Sequence, residues 1–110
     1  MVVVINSPVD GQAIDKLAEE IGGFYIKVVI DIKKEVMSAG AKMHVDEEQL
    51  LLDQGSLQGD LWGGGYDLET KRVTFDSIIN NRSGSNMSSD ILDPDIRKKF
   101  EVILRRLLRV

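Results

Sequence analysis

The chain has 110 residues, of which 43% are hydrophobic and 29% charged, a composition typical of one globular domain rather than a disordered or membrane-spanning chain. It contains no cysteine and one histidine, which excludes disulfides, thiolate metal sites, cysteine nucleophiles and two-histidine sites within one chain. The net charge of −4 argues against nucleic acid as a partner.

The charge is unevenly distributed. Residues 1–93 hold 8 Lys and Arg against 16 Asp and Glu, whereas residues 94–110 hold 6 against 2, so an acidic body of −8 precedes a basic segment of +4. Met1–Ile5 lack the basic region that opens a signal peptide, and no apolar run is long enough to cross a bilayer. We therefore expect a cytoplasmic protein that makes no membrane contact.

Three elements are predicted at the start of the chain. Val2–Ile5 form an all-apolar, β-branched run typical of a buried strand. Residues 10–21 carry apolar side chains at helical spacing, and Gly22 favours the end of that helix. Residues 24–33 alternate between apolar and mostly polar side chains, which is the period of a half-buried strand.

The segment after this strand has two interpretations. Lys33 and Lys34 favour a turn into a second strand over residues 35–44, whose alternate side chains point to opposite faces. Equally, residues 33–39 can form a helix that Gly40 ends.

A short helix is predicted over residues 46–54. Asp46 is its expected N-cap, Gln49 occupies the capping-box position three residues later, and Gly55 ends the helix. The run Leu50–Leu52 is its apolar contribution to the core.

A hairpin is predicted next, between Leu61 and Asn80. Gly63–Gly65 interrupt its first strand, and residues 72–80 form its second. Because neither Lys-Ser/Thr nor a helix follows the glycines, they are not a phosphate-binding loop, and they favour a bulge or the close approach of another backbone. The Asn-, Ser- and Gly-rich residues 81–90 are typical of a mobile loop.

The last helix has the clearest start, with Asp93 as its N-cap and Pro94 in its first turn. One stripe of large apolar side chains runs along it: Ile96, Phe100, Ile103, Leu104, Leu107 and Leu108. Such a stripe must pack on the sheet or on a partner subunit, and we expect a homo-oligomer formed through this helix. The opposite face is basic, which favours a solvated surface that complements the acidic body over a nucleic-acid site.

Together these elements predict an α+β fold, with a small antiparallel or mixed sheet of four to five strands and two longer helices packed on one face. No repeat, low-complexity tract or linker divides the chain, so residues 1–110 are expected to form a single domain. No cofactor is indicated by any motif.

The densest polar cluster contains His44, Asp46, Glu47 and Glu48. A histidine beside carboxylates can bind a divalent cation or act as a general base, and the side chains converge if His44 ends a strand and Asp46 begins a helix. In the other interpretation Asp46 caps the helix, Glu47 and Glu48 complement its dipole, and His44 covers the end of the sheet. With no cysteine and one histidine, a metal site here favours calcium or magnesium over zinc.

A second polar group lies in the predicted hairpin. Asp76 and Asn80 are four residues apart and share a sheet face, with Arg82 just beyond. The three side chains can therefore line a pocket for a carboxylate or a phosphate. The alternative is a strand side that faces solvent, with Arg82 paired to a nearby acid.

Several motifs occur in an order that resembles a known family. They are His44-x-Asp46-x-Glu48, Leu50-Leu51-Leu52, Gly55-Ser56-x-Gln58, Leu61-Trp62-Gly63 and Phe75-x-Ser77-x-Ile79-Asn80-x-Arg82. Together they resemble a prokaryotic family of small proteins of unknown function, and the resemblance implies no activity. The chain departs from the family's pattern at Gly65 and Ser83, where that pattern has asparagine and proline.

Two functional hypotheses follow. The first is a non-catalytic binding or interaction module that self-associates, because no recognised catalytic constellation is present. The second is a ligand- or divalent-metal-binding protein, including a hydrolytic one. Its site would be built from six polar residues: His44, Asp46, Glu48, Asp76, Asn80 and Arg82.

Overall fold

The computed structural model describes residues 2–110 and contains a five-stranded antiparallel sheet with three α-helices. The strands are β1 (Val3–Ile5), β2 (Tyr25–Asp31), β3 (Val36–Ala39), β4 (Leu61–Asp67) and β5 (Arg72–Thr74), and the helices are α1 (Gly11–Ala18), α2 (His44–Asp53) and α3 (Pro94–Leu108). The strand order across the sheet is β1-β3-β2-β4-β5, and every neighbouring pair is antiparallel. The predicted α+β fold is confirmed.

The helices cover both faces of the sheet. α1 and α3 pack on one face, with Leu17 and Phe100 in the larger hydrophobic cluster, and α2 packs on the other, where Leu51 joins Val29. The alternation along β2 predicted a half-buried strand, but Val29 and Asp31 have no exposed surface. The prediction was wrong on this point because α2 covers the second face.

The buried Asp31 orders the turn after β2. Its carboxylate accepts hydrogen bonds from the backbone N–H groups of Lys33 and Lys34 at 3.0 and 2.9 Å, and from the Ser56 hydroxyl at 2.7 Å. These bonds satisfy a buried acceptor in a turn that returns the chain as a strand, so the helical interpretation of this segment is wrong. β3 nevertheless ends at Ala39, well before the predicted end.

α2 begins earlier than predicted. His44 is its first residue, and the N-cap is Met43, whose side chain makes no capping hydrogen bond. Asp46 lies inside the first turn, and Gln49 donates to Asp53 at 2.9 Å instead of closing a capping box. His44 therefore belongs to a helix N-terminus and not to the end of a strand.

β4 runs through its three glycines without interruption and pairs with β2 along its whole length. A Cβ added to Gly63 would lie 2.6 Å from the Cβ of Ser77, and one added to Gly64 would lie 2.8 Å from the Phe100 ring. A Cβ at Gly65 would overlap an aromatic ring of β2. A Cβ at Gly64 would also overlap the backbone carbonyl oxygen of Thr74. Of the two interpretations of the glycines, the close approach of another backbone is therefore correct at Gly64, and the bulge is wrong.

The second strand of the hairpin is shorter than predicted. β5 ends at Thr74, Asp76 forms an isolated bridge with Asp90, and a 3-10 turn follows over residues 78–80. Asp76 is exposed, whereas Asn80 has no exposed surface. The prediction that the two side chains share a sheet face is wrong, because the chain leaves the sheet between them.

The loop over residues 81–90 is cross-linked to its flanks. The buried Asn86 donates through Nδ2 to the backbone carbonyls of Asn80, Ser88 and Asp90 at 2.8 to 3.0 Å. The predicted loop is present, but these bonds give it a defined internal structure.

α3 starts as predicted, with Pro94 as its first residue and Asp93 accepting from the backbone N–H of Asp95 at 2.8 Å. Five members of the predicted stripe are buried: Phe100, Ile103, Leu104, Leu107 and Leu108. They belong to the core that α3 forms with the sheet of its own chain, which accounts for the stripe without a partner subunit. Within residues 2–110, no helix has the length and apolar character needed to span a membrane.

Candidate functional site

Asn80 is engaged entirely by backbone groups. Its Oδ1 accepts from the N–H of Gly63 at 2.8 Å, and its Nδ2 donates to the carbonyls of Gly63 at 2.9 Å and Ser89 at 3.0 Å. A third, longer bond reaches the carbonyl of Phe75 at 3.3 Å. The side chain therefore pairs with β4 much as another strand would, and it holds the segment after β5 in place.

Like Asn80, Arg82 contacts β4, and it also contacts the residues just before that strand. Its guanidinium lies over the Trp62 ring, 3.9 Å from the centroid, and donates to the backbone carbonyls of Gly59, at 3.1 Å, and Leu61. Stacking and the fork of donors are both properties of arginine that lysine lacks. The guanidinium of Arg82 is therefore engaged by residues 59–62 and does not face an open pocket.

Glu48 lies with this arginine. Burial raises the pKa of its carboxyl, while the neighbouring Arg82 and a hydrogen bond from Gln58 act in the opposite direction. One oxygen of Glu48, Nε of Arg82 and Nε1 of Trp62 are buried without a hydrogen-bond partner in residues 2–110. The structure thus brings together Glu48 and Arg82, and neither of them lines the cleft that contains Asp76.

His44 and Asp76 meet instead in a separate cleft of about 610 Å³, which we call the His44 cleft. The N-terminus of α2, strand β2 and the segment after β5 surround it. Its lining consists of Tyr25, Lys27, Met43, His44, Val45, Asp76, Ser77, Ile78 and Ser89. Of the six predicted site residues, His44 and Asp76 therefore share one concave surface.

The protonation state of His44 follows from its hydrogen bond. Its Nε2 lies 2.7 Å from the carbonyl oxygen of Gly64, and because a carbonyl only accepts, Nε2 carries the proton and Nδ1 is the acceptor of the neutral ring. Burial is the main cause that lowers the pKa of His44; Lys27 lowers it further, and the Gly64 bond and Asp76 oppose the shift. His44 therefore presents a neutral ring at neutral pH.

Two residues of β2 supply the rest of the polar floor. Lys27 donates through Nζ to the carbonyl of Lys42 at 2.7 Å, which leaves further N–H groups of the ammonium to donate elsewhere. The hydroxyl of Tyr25 shares a 2.5 Å hydrogen bond with Thr74, and burial raises the pKa of Tyr25. Neither residue was predicted to belong to a site, although both lie on the polar side of the alternation in β2.

The rim of the cleft is apolar. Met43, Val45 and Ile78 are 58%, 48% and 81% exposed. Beside them, Asp76 and Asp90 are both exposed and face each other across an isolated bridge.

Glu47 belongs to the acidic cluster noted in the sequence but not to the six predicted site residues. It has no exposed surface, its Oε2 accepts from the N–H of Ala41 at 3.1 Å, and burial raises its pKa to about 9. Its spacing from Leu51, four residues along α2, was the available signal, since such positions share a helix face. One of the two interpretations of the cluster had Glu47 complement the helix dipole, and it fails because a buried carboxyl with a raised pKa does not carry the charge that this role needs.

Asp46 has an exposed side chain on the first turn of α2 and does not line the His44 cleft. Within residues 2–110 no three His, Asp or Glu side chains lie close enough together to hold a metal ion. The predicted convergence of His44 with its neighbouring carboxylates is therefore not observed.

A comparison with known protein families matched the chain over residues 3–107 to a family described as a protein of unknown function (DUF5674). Because the match covers nearly the whole chain, the chain belongs to this family. Searches of curated proteins and of solved structures found no match. The resemblance to a family of unknown function is confirmed.

Proposed function

We propose that this family member is a non-catalytic binding module whose His44 cleft recognises an extended protein segment with an apolar side chain next to a basic one. The observation that carries the proposal is the rim, where Met43, Val45 and Ile78 stand in solvent around a polar floor. Apolar side chains grouped around a concave surface with a few polar groups are typical of recognition sites.

The floor offers both groups that a peptide backbone needs. Lys27 has N–H groups beyond the one that bonds to Lys42, and they can donate to a peptide carbonyl. Because Nε2 is the atom that bonds to Gly64, Nδ1 of His44 is the acceptor nitrogen, and an acceptor of this kind can take a peptide N–H. A neutral ring suits this role, since a protonated histidine has no acceptor.

The preference for a basic side chain rests on Asp76 and Asp90. Asp76 and Asp90 are both exposed and pair in an isolated bridge, and Asp76 lines the cleft. Like charges directly opposite each other in such a pair repel. A lysine or arginine of the bound segment would relieve this repulsion, whereas an acidic side chain would add to it.

The test is a nuclear magnetic resonance titration of the ¹⁵N-labelled protein with two capped peptides, Ala-Leu-Arg-Ala and Ala-Leu-Glu-Ala. We expect the first peptide to shift the amide signals of Val45 and Ile78, and the second to bind at least about fivefold more weakly. Ile78→Ser should weaken binding of the first peptide about tenfold by removing apolar contact area. Val102→Ser is the matched control, because Val102 is 57% exposed on α3 and lies outside the cleft.

Two results would contradict the proposal. One is the absence of shifts at the cleft with either peptide up to the solubility limit. The other is an equal loss of binding in the Ile78 and Val102 variants, which would indicate non-specific apolar contact.

A further inference from the structure

The outer edge of β1 is unpaired within residues 2–110. β1 is the first strand in the sheet order and bonds to β3 alone among the five strands. Proteins usually protect such an edge by keeping the strand very short, or with charged side chains, proline or a bulge. β1 has three residues, and the run Val2–Ile5 contains neither a charge nor a proline. An edge without such residues can pair with a further strand.

A groove lies beside this edge, between β1 and α1. It has a volume of about 240 Å³, and its apolar lining includes Val3, Ile5 and Leu17. Lys16 and Glu19 also line it, and both are exposed. The groove therefore carries one positive and one negative side chain along an apolar strip.

We propose that a second copy of this chain occupies the edge, so that two β1 strands pair antiparallel about a two-fold axis and form a ten-stranded sheet. A two-fold contact uses the same surface on both subunits, which must therefore be self-complementary. Antiparallel pairing places the α1 helices of both copies on the same face of the joined sheet. Lys16 of each copy then lies beside Glu19 of the other.

A second copy is favoured over an unrelated partner because this surface already holds both halves of each ion pair. The pairing also places β-branched valine and isoleucine side chains opposite one another, which are favourable cross-strand neighbours. The proposed dimer contact does not involve α3, whose large apolar side chains are buried in the chain's own core. The contact is separate from the His44 cleft, so either proposal can fail without the other.

Sedimentation velocity over a range of protein concentrations tests the dimer in four variants and the wild type. Lys16→Glu and Glu19→Lys each place like charges together twice across the axis, and each should weaken dimerisation at least about tenfold. The double swap, Lys16→Glu with Glu19→Lys, should restore dimerisation to within about threefold of the wild type. Lys98→Glu, the same charge change on α3, is the control and should have no effect.

Hydrogen exchange of the backbone amides in residues 3–5 supplies a second measurement. Dimerisation should slow the exchange of the outward-facing amides as the protein concentration rises, and Lys16→Glu should abolish that dependence. A wild-type protein that stays monomeric at millimolar concentration would overturn the proposal. A dimer that tolerates both single reversals, or that the double swap does not restore, would overturn it equally.

Discussion

The buried carboxyl of Glu47 makes the stability of this protein depend on pH. Its side chain has no exposed surface, and burial raises its pKa from 4.5 to about 9. Between these two values the folded protein keeps a proton that the unfolded chain releases. The free energy of unfolding therefore falls as the pH rises through this interval.

Glu47→Gln removes this dependence and keeps an oxygen that can accept from the N–H of Ala41. One pKa unit corresponds to about 1.36 kcal/mol, and pH 7 lies about 2.5 units above the ordinary pKa of glutamate. Between about pH 4.5 and pH 7, the free energy of unfolding of the wild type should therefore fall by about 3 kcal/mol relative to that of the variant. A constant difference in packing between the acid and the amide cancels from this comparison.

Urea unfolding followed by circular dichroism at several pH values between these limits measures the effect. Glu69→Gln is the matched control, since it makes the same change at an exposed glutamate outside α2. A difference between wild type and Glu47→Gln that stays constant across the interval would refute the reasoning, because it would mean that Glu47 is ionised in the folded protein.

Three further substitutions, the first with a matched control, test the packing around β4. Gly65→Ala places a Cβ against an aromatic ring and should lower the free energy of unfolding by more than about 3 kcal/mol in urea unfolding. Gly59→Ala is the control, with no atom within 4 Å of the new Cβ, and should change it by less than about 0.5 kcal/mol. Equal effects of the two substitutions would contradict the close packing at Gly65. Asn80→Asp replaces a donor with an acceptor that faces backbone carbonyls, so burial should raise the pKa of the new carboxyl. The loss of stability should therefore be larger at pH 8 than at pH 5, and a loss independent of pH would refute this. Arg82→Lys keeps the charge but removes the planar group of donors that stacks on Trp62. It should lower the free energy of unfolding by about 1–2 kcal/mol and alter the fluorescence of Trp62. If neither the stability nor the fluorescence changed, the contacts of Arg82 described above would be ruled out.

The elements that the sequence predicted well are those with local signals. Asp93 and Pro94 mark the start of α3, and the spacing of its apolar residues marks the face that is buried. The alternation over residues 24–33 likewise identifies β2. These signals depend on neighbours within one or two turns of the chain, which a single sequence contains.

The site was less predictable because its contacts are distant in sequence. The burial of Glu47 depends on the backbone around Ala41 folding over α2, and the four hydrogen bonds of Asn80 depend on carbonyls and an N–H from β4 and the following loop. Neither a capping pattern nor an alternation pattern encodes such contacts. His44 and Asp76, 32 positions apart in the printed numbering, meet only because the chain leaves the sheet after β5.

The central claim is that the His44 cleft is a recognition site for a protein segment. The most direct measurement is an isotope-filtered nuclear Overhauser experiment on the labelled protein with the Ala-Leu-Arg-Ala peptide. We expect contacts between the leucine methyl groups of the peptide and the methyl groups of Val45 and Ile78. Contacts to Val102 on α3 instead, or no intermolecular contacts at a peptide concentration that saturates the shifts, would contradict the account.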